Sequence, residues 1–100
     1  MTQEHRRDKR LLHDKRVLLQ FTERLGVVGT TKDISSGGAF VLFPFIPKEL
    51  SKGMTGTFRL ISNPTRYQYT FELVRLESEG AGIRFIDPPD DFVVNMMREL

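Results

Sequence analysis

One hundred residues, 39% of them apolar and 28% charged, suffice for one compact domain that buries roughly 60 to 70% of the surface its unfolded chain would expose. Apolar residues come in runs of a few, far short of the roughly 20 that span a bilayer, and no apolar signal core follows the basic start, so a soluble, cytoplasmic protein is expected. The absence of cysteine removes disulfides, zinc-thiolate sites and thiol nucleophiles together.

The formal charge of +2 hides an asymmetry. Through Leu18 the chain carries Arg6, Arg7, Lys9, Arg10, Lys15 and Arg16 against Glu4, Asp8 and Asp14, and the remainder is close to neutral. By itself such a run is a solvated tail that attracts anions. Residues 1–14 hold little apolar content apart from Leu11 and Leu12, so they are expected to form a flexible basic arm ahead of a folded unit over 15–100.

Beyond the arm the period is mostly two. Val17, Leu19 and Phe21 alternate with Leu18, Gln20 and Thr22, as in a strand with one face on a core. After a turn at Leu25 and Gly26, residues 27–34 form a second strand interrupted by Gly29, and residues 39–43 a third that Pro44 and Pro47 end. Residues 54–61 place Met54, Phe58 and Leu60 on one face, and Asn63-Pro64 supplies the next turn. Residues 66–77 carry Tyr67, Tyr69, Phe71 and Leu73 on one side, then Val74 and Leu76 on the other, a change of phase that points to a bulge or to burial on both faces. Glu79-Gly80 turns the chain into a sixth strand over 81–86.

The period then changes. In DPPDDFVVNMMREL, Asp87 is a capping residue, Pro88 suits a first helical turn, and Asp90 and Asp91 sit where the helix dipole favours negative charge. Phe92, Val93, Met96, Met97 and Leu100 share a stripe. The expected fold is therefore all-β with a C-terminal helix over about 88–100: a six-stranded antiparallel barrel or sandwich whose helix covers an open end.

Two short motifs carry the chemistry. KDISSGGAF contains Asp33, Ser35 and Gly38 as D-x-S-x-x-G between two strands, with Ser36 and Gly37 inside it. A sharp turn alone accounts for these residue types, because Asp and Ser bond nearby backbone and Gly accepts positive φ. Arg6 and Arg10, four apart, lie upstream of Asp33, Arg10 by twenty-three residues. The pairing of Arg6-x-x-x-Arg10 with Asp33-x-Ser35-x-x-Gly38, followed by Gly80-Ala-Gly-Ile-Arg-Phe85 and a helical ending, resembles the PilZ family of cyclic di-GMP receptors over nearly the whole chain.

The resemblance implies a PilZ-like split barrel and a bacterial second-messenger receptor rather than an enzyme, with cyclic di-GMP as ligand and no cofactor or metal. The ligand chemistry fits these residue types. Two phosphates and two guanines call for cationic forks and for acceptors facing the guanine N–H groups, and arginine supplies bidentate donors that lysine does not. By this resemblance Arg6 and Arg10 contact phosphate and guanine, while Asp33, Ser35 and Gly38 hold the guanine edge. His5 leaves the ligand stoichiometry open, and Arg7, Ser36 and Gly37 are additional candidates. Ligand is expected to order the arm across the barrel, and the reorganised surface to be read by a protein effector or a fused domain; neither DNA binding nor membrane insertion is expected.

Two other functions are compatible with parts of the sequence. Tyr67 and Tyr69 on an open sheet, with the basic arm, would suit a small single-stranded nucleic-acid binder. A PilZ-like domain without ligand would act as a protein-interaction module, for which the apolar loop Phe43-Pro-Phe-Ile-Pro47 offers a surface. His5 and His13 lack a partner cluster at metal spacing. Ser35 and Ser36 lack a G-x-S-x-G elbow, which argues against a hydrolase.

Overall fold

The computed structural model describes residues 15–35, 37–62 and 68–88. Within them six strands run in chain order: β1 Arg16–Gln20, β2 Gly26–Ile34, β3 Gly38–Leu42, β4 Thr55–Leu60, β5 Gln68–Glu77 and β6 Gly80–Phe85. All neighbours are antiparallel, and the sheet closes on itself in the order β1-β2-β3-β6-β5-β4. The closing ladder sets Val17 opposite Leu60 and Gln20 opposite Thr57, so no strand edge is left open along it. The expected six-stranded antiparallel barrel is thus the fold, and the C-terminal helix expected over 88–100 falls almost entirely outside the described residues.

Alternation explains why these segments pair. Val17 and Leu19 from β1, Phe58 and Leu60 from β4, and Tyr69, Phe71 and Leu73 from β5 point inward and are buried. Ala39 and Val41 meet Ile83 and Ala81 across the β3–β6 ladder, and all four belong to the same core. Edge-to-face ring contacts tie the walls together: Phe58 on Phe85 at 5.2 Å and Phe21 on Phe71 at 5.4 Å. Full burial of each such side chain contributes about 1.5–3 kcal/mol, so the core rather than any ion pair holds the barrel.

Three strands start one residue earlier than expected, each on a glycine: Gly26 pairs with Gln20, Gly38 with Arg84, and Gly80 with Leu42. Read as turn residues, these glycines instead let neighbouring backbone approach. A β-carbon at Gly38 would run into the Ile83 carbonyl oxygen, so its side chain is excluded by β6. Its φ is not positive, whereas that of Gly53 is.

Two bulges break the alternation. In β5 the register slips between Leu73 and Arg75, which makes Val74 the extra residue and returns Leu76 to the core side opposite Ala81. This is the phase change visible in the sequence at Val74 and Leu76. In β2 the register slips between Thr31 and Asp33, so that Thr31 and Ile34 both face inward while Lys32 and Asp33 do not. Each bulge swings the next side chain outward, and both lie near the same surface.

Candidate functional site

The two bulges fix a row of outward residues across four strands. Asp33 stands opposite Phe40, Phe40 opposite Gly82, and Gly82 opposite Arg75. Phe40 is buried yet lies outside the core cluster, on the outer face of the barrel. The Arg75 guanidinium carbon sits 5.5 Å from its ring centroid and the Lys32 ammonium 5.9 Å. Cations at that range over an aromatic face are attracted by about 0.5–1 kcal/mol each at exposed sites, which keeps two positive groups beside the ring.

A cavity of about 450 Å³ opens on this row, lined by Asp33, Ser35, Gly37 and Gly38 on one side and by Phe40, Val74, Arg75 and Gly82 on the other. That volume lies within the range of small-molecule sites. A larger groove of about 590 Å³ runs past Arg16, Val28, Lys32 and Pro44. It holds neither Asp33, Ser35 nor Gly38, so the chemistry of the motif belongs to the smaller cavity.

The Ser35–Gly38 corner is built by its own hydrogen bonds. The Ser35 N–H donates to the Gly38 carbonyl at 2.8 Å, the Ser35 hydroxyl donates to the same oxygen at 3.4 Å and accepts from the Gly37 N–H at 3.3 Å. The Phe85 N–H donates to the Gly37 carbonyl at 3.0 Å, which staples the corner to the end of β6. Ser35 is buried and therefore shapes the turn first. A hydroxyl has one donor and two acceptor positions, so one lone pair of Ser35 remains for a donor in the cavity.

The arm's root is fixed next to this wall. The Lys15 N–H donates to the Thr31 hydroxyl at 3.0 Å, and the Thr31 N–H donates to the Lys15 carbonyl at 2.8 Å. Thr31 is buried and lies two residues from Asp33. Lys15, the first described residue, is thus held to the strand whose bulge presents Asp33.

Asp33, Ser35, Gly37 and Gly38, all read from the sequence as site residues, meet at one cavity. His5, Arg6, Arg7, Arg10 and Ser36 lie outside the described residues. Phe40, Arg75 and Gly82 were not legible as site residues. The available signal for Arg75 was its place directly after the phase change at Val74. Arg84, the arginine of the G-x-G-I-R-F ending, faces outward opposite Gly38 and pairs with Glu72.

Tyr69 corrects one expectation. It is buried and packs edge-on against Phe85 at 6.2 Å, and its sheet is closed rather than open, so it offers no face for stacking a base. Tyr67 lies outside the described residues. The apolar loop divides: Phe43 is buried and Ile46 packs against the core, whereas Phe45 is 72% exposed.

Comparison with solved structures places the same barrel in known proteins. The chain is similar to the PilZ domain of YcgR from Escherichia coli with c-di-GMP, at 18% identity and a TM-score of 0.69, covering 96% of this chain and 88% of that one. It is similar to the PilZ domain of CeSA from a cellulose-synthesizing bacterium, at 18% identity and a TM-score of 0.72, covering 91% and 93%. Against YcgR in complex with c-di-GMP the TM-score is 0.63 at 16% identity, with 96% of this chain and 47% of that chain covered, so this chain spans about half of that one. No curated protein is matched by sequence. The PilZ domain profile matches residues 4–99, an interval that takes in the arginine pair, the D-x-S-x-x-G corner and all six strands, and the chain therefore belongs to the PilZ domain family.

Proposed function

We propose that this protein is a cyclic di-GMP receptor whose basic arm closes over the cavity when ligand binds. The observation that carries this reading is the convergence of Asp33, Ser35 and Gly38 on one cavity beside the root of the arm. Asp33 accepts from guanine N1–H and N2–H, and Ser35 offers its remaining lone pair. Gly38 keeps the corner tight against β6. Arg6 and Arg10 supply forks for phosphate and for guanine O6 and N7. Four residues lie between Arg10 and Lys15, and those five steps of chain span at most about 18 Å, the length available for Arg10 to reach from the Lys15–Thr31 contact towards the cavity. The two similar YcgR structures were solved with c-di-GMP, which supports the same ligand class here.

In this mechanism residues 1–14 form the moving part and the barrel the fixed part. Closure changes the surface that a protein effector or fused domain reads, and no bond is made or broken. The exposed Phe45 favours a protein partner as the reader. It also supports the second reading, an interaction module that works without ligand.

Titration calorimetry with cyclic di-GMP tests the proposal. The parent protein is expected to bind, and Arg10→Ala and Asp33→Ala to bind at least tenfold more weakly, since a charge-assisted hydrogen bond contributes about 1.5–3 kcal/mol. No heat from the intact protein would sink the receptor reading and leave the ligand-free module. Hydrogen exchange over residues 4–12 tests closure separately: slower exchange with ligand supports it, and no change refutes it.

A further inference from the structure

Resting on the cyclic di-GMP reading, we propose that Arg75 is a further ligand-binding residue, reading the O6/N7 edge of the guanine whose N1/N2 edge faces Asp33. The purine then lies on the outer face of the barrel, in the cavity that Asp33 and Arg75 both line.

The register carries this assignment. Asp33 and Arg75 stand at opposite ends of one cross-strand row, about 14 Å apart along three interstrand spacings. Both line the same cavity. Asp33 brings a carboxylate to this cavity and Arg75 a longer guanidinium, an acceptor and a fork of donors. Guanine presents the complementary edges: N–H donors on one side, and the O6 and N7 acceptors that arginine meets bidentately on another. Each group is aimed by its own bulge, at Lys32 and at Val74, so the pairing is set by backbone geometry on both flanks.

Gly82 is the row's one member without a side chain, and a β-carbon there would stand 3.3 Å from the Arg75 Cβ, 3.6 Å from its Nε and 3.9 Å from the Phe40 ring, so the Arg75 side chain crosses over Gly82 towards Phe40. Any larger residue would push the Arg75 side chain off this path. Glu77 holds Arg75 through Nε at 2.8 Å, which orients the guanidinium while an arginine's two terminal amino groups remain the natural end-on fork. The Arg75 side chain is 62% exposed. Such an exposed ion pair restrains it little against a ligand.

The test is calorimetric titration of cyclic di-GMP into the parent, Arg75→Ala and Arg75→Lys, with thermal unfolding of each. Both variants are expected to bind at least tenfold more weakly than the parent while melting within a few degrees of it, as the loss of one exposed cation–π contact allows. An Arg75→Ala protein that binds within twofold of the parent overturns the inference and leaves the receptor reading standing. Recovery of parent affinity by Arg75→Lys also overturns it, because a point charge suffices for a phosphate and not for a purine edge. A parent that fails to bind refutes the receptor reading itself, and the Arg75 assignment falls with it.

Discussion

Replacing Gly38 by alanine should damage the barrel before it damages a ligand contact. The added β-carbon meets the Ile83 carbonyl oxygen well inside contact distance, with the Ile83 carbonyl carbon at 3.2 Å and the Arg84 Cα at 3.3 Å. All three are backbone atoms of β6, so no rotamer change relieves the clash. β3 and β6 must part where Gly38 pairs with Arg84. The bonds beside that point are Ser35 N–H to Gly38 oxygen at 2.8 Å and Phe85 N–H to Gly37 oxygen at 3.0 Å. Overpacking costs about 1–3 kcal/mol and each of the two lost backbone bonds about 1 kcal/mol, which together come to about 3–5 kcal/mol. A domain of this size is stable by about 5–15 kcal/mol, and each kcal/mol moves its melting temperature by about 4–8 °C. Thermal unfolding followed by circular dichroism, without ligand, should therefore show Gly38→Ala melting at least 12 °C below the parent. A melting temperature within about 3 °C of the parent would refute the reasoning and reassign Gly38 from the strand junction to the ligand.

Gly82→Ala is the contrasting case, because its β-carbon would meet mainly the Arg75 side chain. Its melting temperature should stay within a few degrees of the parent, about 1 kcal/mol at most, while cyclic di-GMP affinity falls at least tenfold by calorimetry. Thr31→Val removes the hydroxyl that accepts from the Lys15 N–H; thermal unfolding should register a loss of about 1 kcal/mol, and ligand affinity should drop because the arm's root is loosened. Phe58→Ala empties a fully buried site packed on Phe85 and should cost about 3–5 kcal/mol in urea unfolding, with the denaturant slope unchanged if unfolding stays two-state.

The strands were legible because their inward residues repeat at period two, and Val17, Leu19, Phe58, Leu60, Phe71 and Leu73 are where that repeat puts them. The β5 bulge was legible for the same reason, since Leu73 and Leu76 cannot share a face without an extra residue. The β2 bulge was not: Gly29 already interrupted that strand's pattern, and Thr31, Lys32 and Asp33 are all polar, so a slip between Thr31 and Asp33 leaves no mark in the hydrophobic phase. Asp33, Ser35 and Gly38 were found because a short motif keeps its parts within six residues. Phe40, Gly82 and Arg75 come from three strands and meet only through the ladder register, which local sequence does not encode. Tyr69 shows the converse, as an aromatic at strand spacing suits a surface platform or a core equally until closure of the barrel buries it.

The central claim is that the wall formed by Asp33, Ser35 and Gly38 is where cyclic di-GMP binds. Titration of the isotopically labelled protein with this ligand, followed through backbone amide resonances, tests it most directly. Shifts should concentrate at Asp33, Gly37, Gly38, Arg75 and Gly82 and leave Thr57 and Phe58, on β4 across the barrel, nearly unchanged. A spectrum that does not respond, or one that responds at β4 and not at the Ser35–Gly38 corner, would contradict the claim.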